Sequence, residues 1–269
     1  MTTAEQPVIV LVHGAFAESA GWNRVIQRLH DHRLTVVAVA NPLRSVEGDA
    51  AYLRDVIAGI GRPVVLVGHS YGGMVISQAA AGNPAVRALV YVAAFAPESG
   101  ESALLLSGKF EGGTLASALV AYPVASGGNE FRIAADKFNH QFCAGLAAGE
   151  AALMAATQRP VTERALTDGL TVSEAGWRTK PSWFVHGGRD LSIPAAALRF
   201  MAERAGSRGT REIADASHAI AASQPEAVVA SILDAVGHVR GRTEVARPRD
   251  GSSAGGEEPP VGCESMWIS

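Results

Sequence analysis

Short apolar runs divide the chain, and each leads through a small or polar residue into a stretch with helical spacing. Residues 8–12, Val-Ile-Val-Leu-Val, are apolar without alternation, which marks a strand buried on both faces. Residues 34–39, 64–67, 86–95 and 182–186 have the same character, and 210–213 forms a last short run. Between them, residues 21–32 carry Trp22, Val25, Ile26 and Leu29 at helical intervals, and residues 49–60 carry Tyr52, Leu53, Val56, Ile57 and Ile60. Gly61-Arg62-Pro63 and Asn83-Pro84 read as helix stops, and Pro194 as the start of a helix over 195–205. A last helix is expected over 225–236. Four strand–helix alternations in the first hundred residues predict an α/β fold with a doubly wound, mostly parallel sheet.

The rhythm breaks over residues 97–180, which are rich in Gly, Ala and Ser. An insertion of that length between two sheet strands is too long for a plain loop and predicts a helical cap, with helical patches near 115–121, 132–142 and 150–158. Residues 1–96 and 181–239 then form the core. Residues 240–269 contain Gly-Ser-Ser-Ala-Gly-Gly-Glu-Glu-Pro-Pro and almost no apolar periodicity, so a disordered tail is expected there.

Composition narrows the chemistry. A hydrophobic fraction of 48% in 269 residues can bury a sizeable core, and a net charge of −3 offers no basic field for nucleic acid or an anionic membrane. Two distant cysteines, Cys143 and Cys263, give neither a disulfide framework nor metal spacing. Residues 1–7 lack a basic segment and residues 8–12 are too short to span a bilayer, so a cytoplasmic protein is expected, and the excess of Arg and Ala over Lys suggests a bacterial source. No paired-histidine metal motif and no phosphate-binding glycine loop occurs, so no cofactor is expected.

The chemistry centres on Gly68-His69-Ser70-Tyr71-Gly72, which sits where a buried strand meets an apolar helix. A serine on so tight a turn projects its hydroxyl beyond the sheet edge, and its neighbours two before and two after must be small. The amide of Tyr71 then lies at a helix N-terminus, where it can stabilise an oxyanion. Asp190 and His218 also follow strands, and the C-terminal ends of parallel strands converge on one edge. Serine needs an imidazole to take its proton and an acid to orient that imidazole, so Ser70, Asp190 and His218 are the expected triad. Glu98 is the rival acid, since it too follows a strand, whereas Asp215 shares the loop of His218 and is poorly placed to orient its ring. His13, His69 and His186 read as packing or buttressing residues.

These motifs, His13-Gly14-Ala15-Phe16, the serine turn, His186-Gly187-Gly188-Arg189-Asp190 and Ser217-His218, stand in the order found in α/β-hydrolases. Over about residues 7–236 the chain resembles small esterases of that fold, in the branch that holds plant methyl-ester esterases and hydroxynitrile lyases. The resemblance implies oxyanion donors at the amides of Ala15 and Tyr71, hydrolysis of a small-molecule ester through an acyl-enzyme, and no cofactor or metal. A homodimer stays open. The substrate pocket is expected to be walled by Phe16 and by the cap residues Phe110, Phe131, Phe138, Phe142 and Met154. Similar lyases carry a lysine and a threonine where this chain has Ala219 and Gly14, which argues against cyanohydrin cleavage. A non-catalytic binding protein on the same fold is the other alternative.

Overall fold

The computed structural model describes residues 6–125 and 127–245. Six parallel strands form the central sheet: β1 (Val8–Val12), β2 (Val36–Val39), β3 (Val64–His69), β4 (Val86–Val92), β8 (Ser182–Gly187) and β9 (Thr210–Ile213), in the order β2-β1-β3-β4-β8-β9. Pleating sends alternate side chains to opposite faces. On one face Ile9, Leu11, Val65, Val67 and Val90 meet Val25 and Leu29 of α1 (Asn23–Asp31) and Ile232 of α10 (Pro225–Val245). On the other, Val10, Leu66, Leu89 and Phe184 meet Leu53 of α2 (Val46–Ile60), Met74 of α3 (Gly72–Ala80) and Met201 of α9 (Ala195–Arg204). All nine residues of α3 are buried, so the helix after the serine turn is enclosed by the fold. Ser45 caps α2 through a 3.1 Å bond from the Gly48 amide, and Gly61 ends it with a φ of 61°.

The cap is mixed rather than helical. It holds α4 (Ala103–Ser107), α5 (Ala135–Phe142), α6 (Ala148–Thr157), α7 (Glu163–Thr167) and α8 (Gly176–Thr179), but also an antiparallel sheet in the order β5-β6-β7, made by β5 (Leu119–Pro123), β6 (Asn129–Ile133) and β7 (Val161–Thr162). The patch expected to be helical at 115–121 is one 3-10 turn running into a strand, and the patch at 132–142 begins in β6. Val120, Tyr122, Phe131 and Ile133 favour a pleated surface, and Gly127 and Gly128, with φ of 93° and 76°, reverse the chain between them. Tyr122 faces Glu130 across the hairpin and donates to its carboxylate at 2.5 Å, a pairing that local helical spacing could not reveal.

Thr162 fastens the cap to the core, its amide donating to the Leu43 carbonyl at 3.2 Å and its hydroxyl to that of Arg44 at 2.7 Å. The last helix runs on to Val245, so residues 240–245, expected in the tail, are helical; the rest of that stretch lies outside the described residues. No helix among the described residues is long and apolar enough to cross a membrane.

Candidate active site

Ser70 takes a φ of 53°, a left-handed conformation that is costly for a residue with a side chain. The turn is held on both sides: the Ser70 amide donates to Val92 at 3.2 Å, and its carbonyl accepts from Gly73 at 3.0 Å and Phe95 at 3.2 Å. Close packing sets the glycines around it. A Cβ on Gly72 would stand 2.4 Å from the Val12 carbonyl oxygen, and one on Gly14 would stand 2.6 Å from Ser70 Cβ.

Asp190 and His218, the other two residues of the expected triad, are in direct contact. His218 Nδ1 donates to Asp190 Oδ2 at 2.6 Å, and both side chains are buried. Asp190 Oδ1 accepts the amides of Ser192 at 2.8 Å and Ile193 at 2.9 Å, so the carboxylate has a fixed orientation. With the proton on Nδ1, Nε2 of His218 is the acceptor nitrogen, the tautomer a proton-accepting imidazole requires. Ser70 and His218 line one cavity, and among the described residues no hydrogen bond joins their side chains. Ala15 and Tyr71 line the same cavity, and their amides donate to no group among the described residues.

The rival acids lie elsewhere. Glu98 pairs with Arg178, and Asp215 pairs with Arg189 at 2.6 Å on the open surface. His13 accepts the Asn41 amide on Nε2 at 3.0 Å and donates from Nδ1 to the Gly14 carbonyl at 2.9 Å, which pins the loop carrying Ala15. Burial lowers its pKa from 6.5 to about 4, keeping it neutral in this role. His69 does more than pack. Its Nε2 donates to the His218 carbonyl at 3.1 Å, and its ring stands edge-on to Trp22 and Phe142. Burial first, then the neighbouring His218, hold its pKa well below the usual histidine value. His186 is buried, with a 3.4 Å contact from Nδ1 to the Gly187 carbonyl and no partner on Nε2 among the described residues.

The cavity over Ser70 measures about 270 Å³, and its walls are mainly apolar. Of the aromatics named from the sequence, Phe16 and Phe142 line it. Phe138 does not: it is fully buried behind Phe142, with ring centroids 5.1 Å apart, because the inward turn of α5 presents Phe142 first. Phe110 packs on Phe200 instead, Phe131 lies in the cap sheet and Met154 faces a different cavity. The walls that composition did not reveal are Phe95 and the aliphatic Leu104, Leu115, Leu119, Leu166 and Ile193. Sequence reading also passed over Asp49, which is buried and accepts from Tyr71. It stands four and eight residues before the buried Leu53 and Ile57, so a carboxylate on the apolar stripe was the available signal. Among the described residues no cluster of His, Cys, Asp or Glu could hold a metal ion.

Residues 9–231 match the alpha/beta hydrolase family. The alpha/beta hydrolase nvfD of Aspergillus novofumigatus is 30% identical over 254 residues, which cover 86% of this chain and 97% of that protein. A carbendazim hydrolyzing esterase of Nocardioides sp. is 37% identical over 139 residues, covering 41% of this chain and 54% of that enzyme. Among solved structures, polyneuridine aldehyde esterase superposes with a TM-score of 0.73 at 21% identity, over 85% of this chain and 98% of its own.

Proposed function

Because the chain belongs to the α/β-hydrolase family, we propose that it is a serine hydrolase that cleaves a small carboxylic ester through an acyl-enzyme. The observation that carries this reading is the buried His218–Asp190 bond of 2.6 Å at the wall of the cavity whose floor holds Ser70. Ser70 Oγ attacks the ester carbonyl while His218 Nε2 takes its proton, and the amides of Ala15 and Tyr71 receive the oxyanion. His218 then gives the proton to the leaving alkoxide. Water enters, loses a proton to the same nitrogen and attacks the acyl-enzyme to free the acid and Ser70. Asp190 keeps the ring oriented throughout and stabilises its charged form.

Two relatives bear the name esterase, which supports an ester over the other acyl substrates this site could accept. The lyase alternative loses ground on geometry as well as sequence. Any side chain at position 14 would collide with Ser70, so the threonine of the similar lyases has no place here. Ala219 supplies no cation for a leaving cyanide.

The test is a panel of short-acid esters together with a serine-reactive phosphonate. The wild type should hydrolyse members of the panel and be labelled at Ser70. Ser70→Ala should lose turnover on the order of a thousandfold or more and take no label. Hydrolysis of no ester, or a variant that keeps more than about a tenth of the activity, would overturn the reading.

A further inference from the structure

An ester has an arm on each side of its carbonyl, and the structure offers a separate space for each. Phe16 lines the catalytic cavity and also a second cavity of about 210 Å³. Its φ of 59° and the 3.1 Å bond from its amide to the Arg159 carbonyl fix its backbone between the two. Ala20, Leu153 and Met154 give the second cavity an apolar wall, whereas Arg24 and Glu150, joined at 3.0 Å, give it a charged rim. A small recess lies beside both spaces, sharing Phe142 with the catalytic cavity, and Met154 and Ala222 with the second. Phe142 stands edge-on to His218, with ring centroids 5.0 Å apart, so this ring lies on the imidazole's side of the recess.

The direction of the chemistry assigns the arms. His218 protonates the leaving oxygen, so the alcohol arm must depart from the imidazole side. The apolar catalytic cavity suits the acyl arm. Resting on the ester-hydrolase reading, we propose that the second cavity is the alcohol subsite, which takes an aromatic or branched alkyl group with a hydrogen-bonding end toward Arg24 and Glu150, and that Phe16 divides it from the acyl space. A cavity of about 150 Å³ admits benzene, so the second cavity has room for a ring.

Methyl and benzyl butanoate test the assignment. Ala20 is exposed on the outer wall, so Ala20→Trp fills the cavity from the solvent side with little risk to folding. It should lower the benzyl-to-methyl ratio of kcat/KM about tenfold and weaken inhibition by benzyl alcohol without weakening inhibition by butanoate. Phe16→Gly, which removes the divider and suits the left-handed backbone, should raise the same ratio. The ratio between methyl hexanoate and methyl acetate should not follow Ala20→Trp. A benzyl-to-methyl ratio within twofold of wild type in Ala20→Trp would overturn the subsite, and a shift confined to the acyl series would overturn the assignment of arms. If the wild type cleaves both esters, such a failure falls on the subsite alone. If it cleaves no ester in the panel, the hydrolase reading fails and this inference with it.

Discussion

Tyr71 Oη donates to Asp49 Oδ2 at 2.8 Å, and both residues are buried beside the serine turn. Asp49 also accepts the Arg44 amide, with 3.1 Å to each carboxylate oxygen. Burial pushes the Tyr71 hydroxyl well above its ordinary pKa, with the Asp49 carboxylate adding to the effect, so the phenol remains a donor. The ring is therefore tethered to the N-terminal turn of α2, while the residue also lines the cavity that holds Ser70.

Tyr71→Phe removes that donor from a buried carboxylate. Unfolding in urea should show a loss of about 1–3 kcal/mol, and on the proposed mechanism kcat should fall more than KM rises, because the amide proposed to receive the oxyanion loses its anchor. An unchanged unfolding free energy would show that the tether carries no stability.

Asp190→Asn should lower turnover by roughly two to four orders of magnitude while the circular dichroism spectrum stays that of the wild type, because the imidazole tautomer is no longer enforced. Glu98→Gln touches a surface pair and should change turnover less than about tenfold. The reverse pattern would move the acid to the cap entrance.

Gly14→Ala should abolish most activity and destabilise the fold by about 1–3 kcal/mol, since the added methyl meets Ser70 Cβ at 2.6 Å and the His69 carbonyl at 2.7 Å. Near-normal ester turnover in this variant would mean that the serine turn yields without cost.

Stability should fall as pH drops below about 6.5, the reference value for histidine in the unfolded chain. The folded His13 titrates only at about 4, so between these values the unfolded chain binds more protons and acid favours unfolding. His69 and His186, whose pKa values burial also lowers, act in the same direction. His13 alone accounts for about 3 kcal/mol as an order of magnitude, fully present above pH 6.5 and lost on approach to 4. Melting temperatures from pH 7.5 to 4.5 check this, and His13→Gln should flatten the curve.

β1, β3 and β8 were legible because burial on both faces leaves an apolar run, as in residues 8–12 and 64–67. The serine turn was legible because its sterics admit few residues. The cap sheet was not, since β5 and β6 are set by pairing across a hairpin and against β7, partners that local spacing does not express. Phe142 and Phe138 are one turn apart on α5, and only the docking of that helix decides which one meets the cavity. The Tyr71–Asp49 tether joins positions 22 apart, a relation that spacing alone cannot express.

The sheet order has a consequence for how the molecule comes to exist. β4 is bounded by β3 on one side, and its other edge is covered only by β8, where Leu89 meets Ser182 and Val92 meets Val185. Until synthesis passes the cap, that edge offers unpaired peptide groups and apolar side chains to any neighbouring strand. The proposed nucleophile, Ser70, is made with the first half of the chain, whereas Asp190 and His218 arrive after β8 and β9. A nascent chain thus holds its serine long before it can use it, and ribosome-bound or prematurely ended chains should be inert and prone to aggregate through β4.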